Sequence, residues 1–204
     1  MRAVLISINP KWCEKIANGE KTIEVRKTVP SLERPFKCYI YCTQGKLKDL
    51  GSCSEKIYQN RMRVIGEFVC DRVDGYKYRL TTYEETPYKG KYISKEELAK
   101  TCLSIGEVND YLNGKNGYLW HISQLKIYDK PKALSEFESA CHCFNIKNVE
   151  CKTNAFGEYV FQHYDNSFCR ICKYYNSDFG DCDKPAFQPL KRPPQSWCYV
   201  EVSE

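Results

Sequence analysis

An ammonium, a carboxylate and a guanidinium stand close together as Lys21, Glu24 and Arg26 in the run Gly19-Glu20-Lys21-Thr22-Ile23-Glu24-Val25-Arg26. Three such groups in one cleft can bind phosphate, hydrogen-bond a base edge, or move protons. Whether they share a cleft depends on the element that carries them. Strand alternation over 22–26 puts Thr22, Glu24 and Arg26 on one face and Ile23 and Val25 on the other. Lys21 sits at the preceding turn and can swing to either side. Two readings follow. Facing inward, the charges must pair with each other or with a guest, because a lone buried charge is very costly. On an exposed edge they form a surface pair of little energetic weight.

A second cluster carries metal chemistry. Cys141-His142-Cys143 is followed by Cys151, by Cys169-Arg170-Ile171-Cys172 and by Cys182. A C-x-x-C pair lets two thiolates reach one ion, and zinc takes four N/S ligands in a tetrahedron. The most economical set is Cys141, Cys169, Cys172 and Cys182. Cys143, Cys151, His142 and His163 are substitutes. Four protein ligands leave no open position, so such a zinc is structural. Free reduced thiols are the competing reading. Redox use of the C-x-x-C is a third, but no thioredoxin-like βαβ pattern surrounds it.

Of the tryptophans, Trp12 and Trp120 fall on apolar faces and read as core. Trp197 follows the rigid turn Pro193-Pro194-Gln195-Ser196 and is the best candidate to stack on a base, with packing as the alternative. His121 reads as a structural histidine, and nothing pairs Cys42 or Cys70 with a base. There is no G-x-G-x-x-G, no P-loop and no H-E-x-x-H.

These groups need elements to hold them. Residues 3–8 read as a strand. Asn9 caps a helix with Pro10 in its first turn, and Asn18-Gly19 ends it. Residues 22–26, 36–42 and 64–73 read as further strands, with Gly66 marking a bulge or a close approach. Residues 44–63 and 74–92 read as loop. Ser94-Lys95-Glu96-Glu97 and Ser104-Ile105-Gly106-Glu107 are capping boxes, each opening a short helix. Residues 118–128 form a long strand that Lys130-Pro131 stops, Ser135 opens a helical turn, and 197–202 is a closing strand. The order suggests an α+β fold, a small mixed β-barrel flanked by short helices.

With 204 residues the chain is long enough for one domain plus a small module, and 31 Lys+Arg against 26 Asp+Glu leave it mildly basic at +5. That charge permits a nucleic-acid partner without demanding one. Thirteen cysteines with no leader-like opening point to a reducing cytoplasm. No apolar stretch approaches the roughly 20 residues that span a bilayer.

The run Gly19 to Arg26 matches the G-x-K-x-x-E-x-R signature of the ASCH family, in the PUA-like superfamily. Ile6-Ser7-Ile8-Asn9-Pro10-Lys11-Trp12 resembles that family's opening strand and helix start, and Val64-Ile65-Gly66-Glu67-Phe68 a later strand. Gly117 to Ile122 and Arg192 to Val200 resemble segments of longer members from Gram-positive bacteria and their phages, which also carry a Cys-rich segment. The resemblance implies a barrel over 1–140, a Cys-rich zinc-binding insertion over 141–184, and a C-terminal segment, 185–204, returning to the barrel. It implies a cleft for RNA or a modified nucleotide, lined by Lys21, Glu24, Arg26, Gln195, Ser196 and Trp197. One branch of the family hydrolyses N4-acetylcytidine with a catalytic Thr where this chain has Glu24. Another member is a ribonuclease. If catalysis occurs, Lys21 and Glu24 are its candidates, with Glu24 positioning a water as general base. A third reading is a non-enzymatic module whose appendage docks a protein. On the cleft reading Lys21 meets the ligand, so Lys21→Ala should weaken binding and leave the melting temperature nearly unchanged.

Overall fold

The apolar run at the N-terminus forms β1 (Arg2–Ile8), and Ala3 to Ile8 are all buried, with no outward polar face. A strand covered on both sides is what parallel pairing in a sheet interior requires. β1 indeed runs parallel to β3 (Phe36–Cys42), Val4 opposite Cys38 and Ile8 opposite Cys42. The crossover between them holds α1 (Pro10–Ala17) and β2 (Ile23–Arg26).

A computed structural model describes residues 2–76, 93–140, 149–153, 159–163, 175–176, 181–182 and 187–201. The chain divides into two units: Ala3–Ala133 with Pro193–Cys198, and Met1–Arg2 with Leu134–Arg192 and Tyr199–Glu204.

In the larger unit two short helices follow β3: α2 (Leu47–Leu50) and α3 (Glu55–Gln59). Then come β4 (Arg63–Cys70) and β5 (Val73–Tyr76). After them lie α4 (Lys95–Thr101), α5 (Ile105–Leu112), β6 (Gly117–His121) and β7 (Ser123–Lys132). One sheet runs β1-β3-β4-β7 and a three-stranded sheet runs β2-β6-β5. The α+β class read from the sequence is what forms. Among the described residues the strands stay in separate sheets and close no single ring. No described helix is long and apolar enough to cross a membrane.

Both capping boxes form as their sequences dictate. Ser94 and Ser104 accept from the backbone N–H of Glu97 and Glu107, whose carboxylates accept from the cap N–H. The helices they start cover one face of the three-stranded sheet. Val108 and Leu112 join Ile23, Val25, Tyr76 and Leu119 in one buried cluster. Gly66 is a close approach as well as a bulge. A Cβ there would stand 2.5 Å from the Lys126 carbonyl, and the β4–β7 register slips between Val64 and Gly66.

Three departures from the sequence reading have local causes. The expected loop at 44–63 holds α2 and α3; the latter is capped by Ser54 and anchored by buried Ile57. A few apolar residues scattered through a polar segment carry no clear period to read. The single strands expected over 64–73 and 118–128 each break, after Cys70 and at Ile122, where the chain passes between sheets. β7 also runs on through Pro131 to Lys132, because it is an edge strand, where a missing N–H costs no ladder bond.

The second unit contains a 3-10 turn (Leu134–Glu136) and β8 (Glu138–Ala140). β9 (Val149–Thr153), β10 (Tyr159–His163), β11 (Tyr175–Asn176) and β12 (Asp181–Cys182) form a sheet of order β11-β12-β10-β9. β13 (Phe187–Pro189) pairs antiparallel with β8, and so does β14 (Trp197–Glu201) through Glu201 and Glu138.

Cys13, Cys38, Cys42 and Cys70 are buried free thiols. Burial pushes the Cys13 and Cys38 thiols well above their ordinary range, and Cys70 up to about 12. Tyr39, also buried, rises to about 12 for the same reason. Groups raised in the folded state favour folding below their unfolded pKa, and that contribution fades as pH climbs toward the folded value. Stability should therefore fall above pH of about 8.5, by about 1.4 kcal/mol per pH unit for each such thiol, with Tyr39 adding above about 10. Urea unfolding between neutral and strongly alkaline pH measures this. A flat profile would show that these thiols ionise in place.

Candidate functional site

α1 sets the position of the charged residues. Asn9 caps it, its side chain accepting from Lys11 N at 3.0 Å, and Pro10 occupies the first turn. At the other end Gly19 takes φ +74, which an L side chain adopts only with strain. The N–H groups of Gly19, Glu20 and Lys21 then satisfy the last carbonyls of the helix, those of Ile16 and Lys15. This tight return delivers Lys21 to the edge of β2 with its side chain turned inward.

Lys21, Glu24 and Arg26 are only 2 %, 7 % and 5 % exposed, so the inward reading of this face holds. Lys21 Nζ donates to the backbone carbonyls of Ile23 at 2.9 Å and Thr101 at 2.8 Å. It also stands 3.2 Å from Glu24 Oε2. That distance is ion-pair range, yet the angle is not that of a hydrogen bond, and Oε2 has no hydrogen-bond partner. Both facts stand: the charge is compensated while the lone pairs keep a vacancy for a donor. Glu24 Oε1 lies 3.0 Å from Arg26 Nη2, which also donates to the Ser7 carbonyl at 2.8 Å. Arg26 Nη1 reaches Ser196 Oγ at 3.3 Å, and Arg26 Nε is buried without a hydrogen-bond partner.

This triad floors a cleft of about 690 Å³. One side is the C-terminal edge of the parallel pair β1 and β3, with Ile8, Asn9 and Thr43 lining it and Thr43 N bonded to Ile8 O at 2.9 Å. Crevices beyond the carboxyl ends of parallel strands are a recurrent place for ligands. Trp12 forms a second wall, its ring centre 4.4 Å from Lys11 Nζ and 5.4 Å from Lys21 Nζ. Glu107 and Tyr111 of α5 form a third. Tyr111 is 39 % exposed at the rim, yet burial of its hydroxyl end raises its pKa, with the Arg26 charge opposing. Pro193, Pro194 and Gln195 close the fourth side, held by Ser7 Oγ donating to Pro194 O at 2.6 Å.

Of the residues read from the sequence, Lys21, Glu24, Arg26 and Gln195 line this cleft. Ser196 acts behind it, holding Arg26. Lys21 Nζ donates to two backbone carbonyls and pairs in charge with Glu24, so its charge helps hold the floor together. Trp197 does not line the cleft. It packs on buried Trp120 with centroids 6.1 Å apart, and its Nε1 donates to Thr28 Oγ1 at 3.0 Å. The aromatic wall is Trp12, which the helical stripe had assigned to the core. The signal for it lies in Asn9-Pro10: a cap directly after β1 hangs the first turn of α1 over the strand ends.

Among the described residues no group of three His, Cys, Asp or Glu side chains is placed to hold a metal ion. Cys141, Cys169 and Cys172 lie outside the described residues, as do His142 and Cys143. For Cys151, His163 and Cys182 only the backbone, in β9, β10 and β12, is described.

No protein-family model and no curated protein sequence matches the chain. Among solved structures it is similar to the ASCH protein of Zymomonas mobilis, with a TM-score of 0.44 and 17 % identity over 65 % of this chain and 73 % of that one. Two variants of the same protein give TM-scores of 0.41 and 0.43 at 15 % and 17 % identity. Each covers 65 % of this chain, and 76 % and 74 % of the variant. The likeness is one of fold.

Proposed function

We propose that the larger unit binds a nucleobase-bearing ligand, a modified nucleotide or single-stranded RNA, in the cleft floored by Lys21, Glu24 and Arg26. The observation that carries this is the incomplete hydrogen bonding of a buried charged floor. Glu24 Oε2 accepts nothing and Arg26 Nε donates to nothing, although both are buried. Buried polar atoms are satisfied in the great majority of folded proteins, so orphans beside a cleft call for a guest. Glu24 Oε2 suits an exocyclic amino group, and Trp12 offers a flat face for the ring. The volume is in the range of small-ligand sites.

Titration with nucleotides and short single-stranded RNA at several salt concentrations tests the reading. Binding should weaken with salt if phosphates contribute. Glu24→Gln, which turns an acceptor pair into a mixed donor and acceptor, should lower affinity about tenfold. No binding by any nucleotide or RNA at low salt would end the proposal.

A hydrolytic reading has one observation in its favour. The vacant Glu24 Oε2 beside Lys21 could hold a water as well as an amino group. Acetate release from N4-acetylcytidine, or cleavage of RNA, would convert the binding site into an active site.

We propose separately that Cys141, Cys169, Cys172 and Cys182 bind one structural zinc. The support is their spacing, a C-x-x-C flanked by two single cysteines. Elemental analysis should find about one zinc per chain, and chelation should lower the melting temperature. A metal-free protein of unchanged stability would remove the zinc.

A further inference from the structure

The sheet that carries the charged floor also borders a second polar depression. Trp120 faces the side of Glu24, its cross-strand partner, so the next residue, His121, turns to the opposite side. There lies a second depression of about 540 Å³, lined by Thr22, Arg72, Lys100 and His121, with Asp71 and Ser123. Four separate segments are stitched together beneath it. Thr22 N donates to Lys100 O at 3.0 Å, Ile122 N to Thr22 O at 2.9 Å, and His121 N to Arg72 O at 2.9 Å. The backbone positions of these residues are therefore fixed relative to one another.

The side chains are anchored on one edge only. His121 Nε2 is 2.8 Å from Asp74 Oδ2 and 3.1 Å from Arg72 Nε. Arg72 Nη2 pairs with Asp74 Oδ2 at 2.9 Å and lies 3.6 Å from Glu97 Oε1. These contacts hold the guanidinium while its side chain stays 55 % exposed. Arg72 Nη1, Lys100 Nζ, Thr22 Oγ1 and His121 Nδ1 have no partner among the described residues. A fixed guanidinium edge beside an ammonium and a hydroxyl is a donor set suited to phosphate oxygens. Among the described residues Asp71 is the carboxylate that lines the depression, and the contacts above do not engage it. It disfavours a bare polyanion and can accept from a neighbouring hydroxyl.

We infer that this depression binds the phosphate of a phosphorylated sugar, with Arg72 and Lys100 on the phosphate and Asp71 on a sugar hydroxyl. The phosphate comes either from a free sugar phosphate or from a polynucleotide backbone. The inference does not depend on the first cleft, which shares none of these residues.

The test reads the imidazole resonances of the full chain, with His121 assigned by its loss in His121→Gln. Inorganic phosphate, ribose 5-phosphate and a short RNA without terminal phosphates are titrated in turn. Ribose 5-phosphate should shift His121 saturably and more tightly than inorganic phosphate. Lys100→Glu should weaken that shift about tenfold or more. Lys100 is exposed and its side chain bonds nothing among the described residues, so folding should survive, and Lys100→Ala serves as a milder second variant. A His121 shift with RNA, displaced by ribose 5-phosphate, assigns the polynucleotide backbone. A shift with ribose 5-phosphate alone assigns the free sugar phosphate. A His121 signal that ignores all three probes, or a shift equally tight in both Lys100 variants, overturns the inference.

Discussion

Lys21→Ala should cost about 3–5 kcal/mol of folding stability, the penalty for removing one partner of a buried ion pair. The reason is the set of acceptors it would strand. Glu24 would keep one cation instead of two, and the carbonyls of Ile23 and Thr101 would lose their donor in the interior. Lys21→Met keeps most of the volume and should recover only part of the loss, because packing is not what the ammonium supplies. Urea unfolding followed by tryptophan fluorescence measures both. This reverses the expectation drawn from the sequence, that Lys21→Ala would spare the fold and impair the ligand. Wild-type stability with lost binding would return Lys21 to the ligand.

Trp12→Ala should weaken nucleotide or RNA binding by about tenfold to a hundredfold, the measured worth of one stacked base. Trp12 is half-buried on the first turn of α1, so its loss should disturb the fold far less than that of Lys21. Trp12→Phe keeps a flat face and should recover much of the affinity. Trp197→Ala is the complementary control. Its ring packs on Trp120 and its indole N–H bonds Thr28, so the expected effect is on stability and not on affinity. Equal affinities in wild type and Trp12→Ala would show that no base stacks there. A binding defect confined to Trp197→Ala would restore the assignment made from the Pro-Pro-Gln-Ser-Trp turn.

Much of the local structure was legible because its causes lie within a few residues. Asn9-Pro10 starts α1, Asn18-Gly19 ends it, and two Ser-x-x-Glu boxes start α4 and α5, each through bonds spanning two to four positions. The apolar run over 36–42, read as a strand, matches β3 to the residue. The strand breaks after Cys70 and at Ile122 were not legible, since each apolar run continues across the point where the chain changes sheet. The sequence could not tell the places of Trp12 and Trp197 apart for a similar reason. An aromatic residue on a helical stripe looks the same whether the stripe meets a core or overhangs a cleft.

The order of residues decided that Lys21, Glu24 and Arg26 would stand beside one another on a turn and a strand, and the alternating period decided that Glu24 and Arg26 would share a side. Which side would be dry, and what each charge would hold, was decided by distant chain. The carbonyl of Thr101, 80 positions beyond Lys21, accepts a hydrogen bond from it, and the hydroxyl of Ser196, 170 positions beyond Arg26, accepts one from Arg26. Hydrogen bonds along a helix or across a turn are written in neighbouring residues. The acceptor that meets a buried cation is found only when the sheets and the returning C-terminal segment close around it.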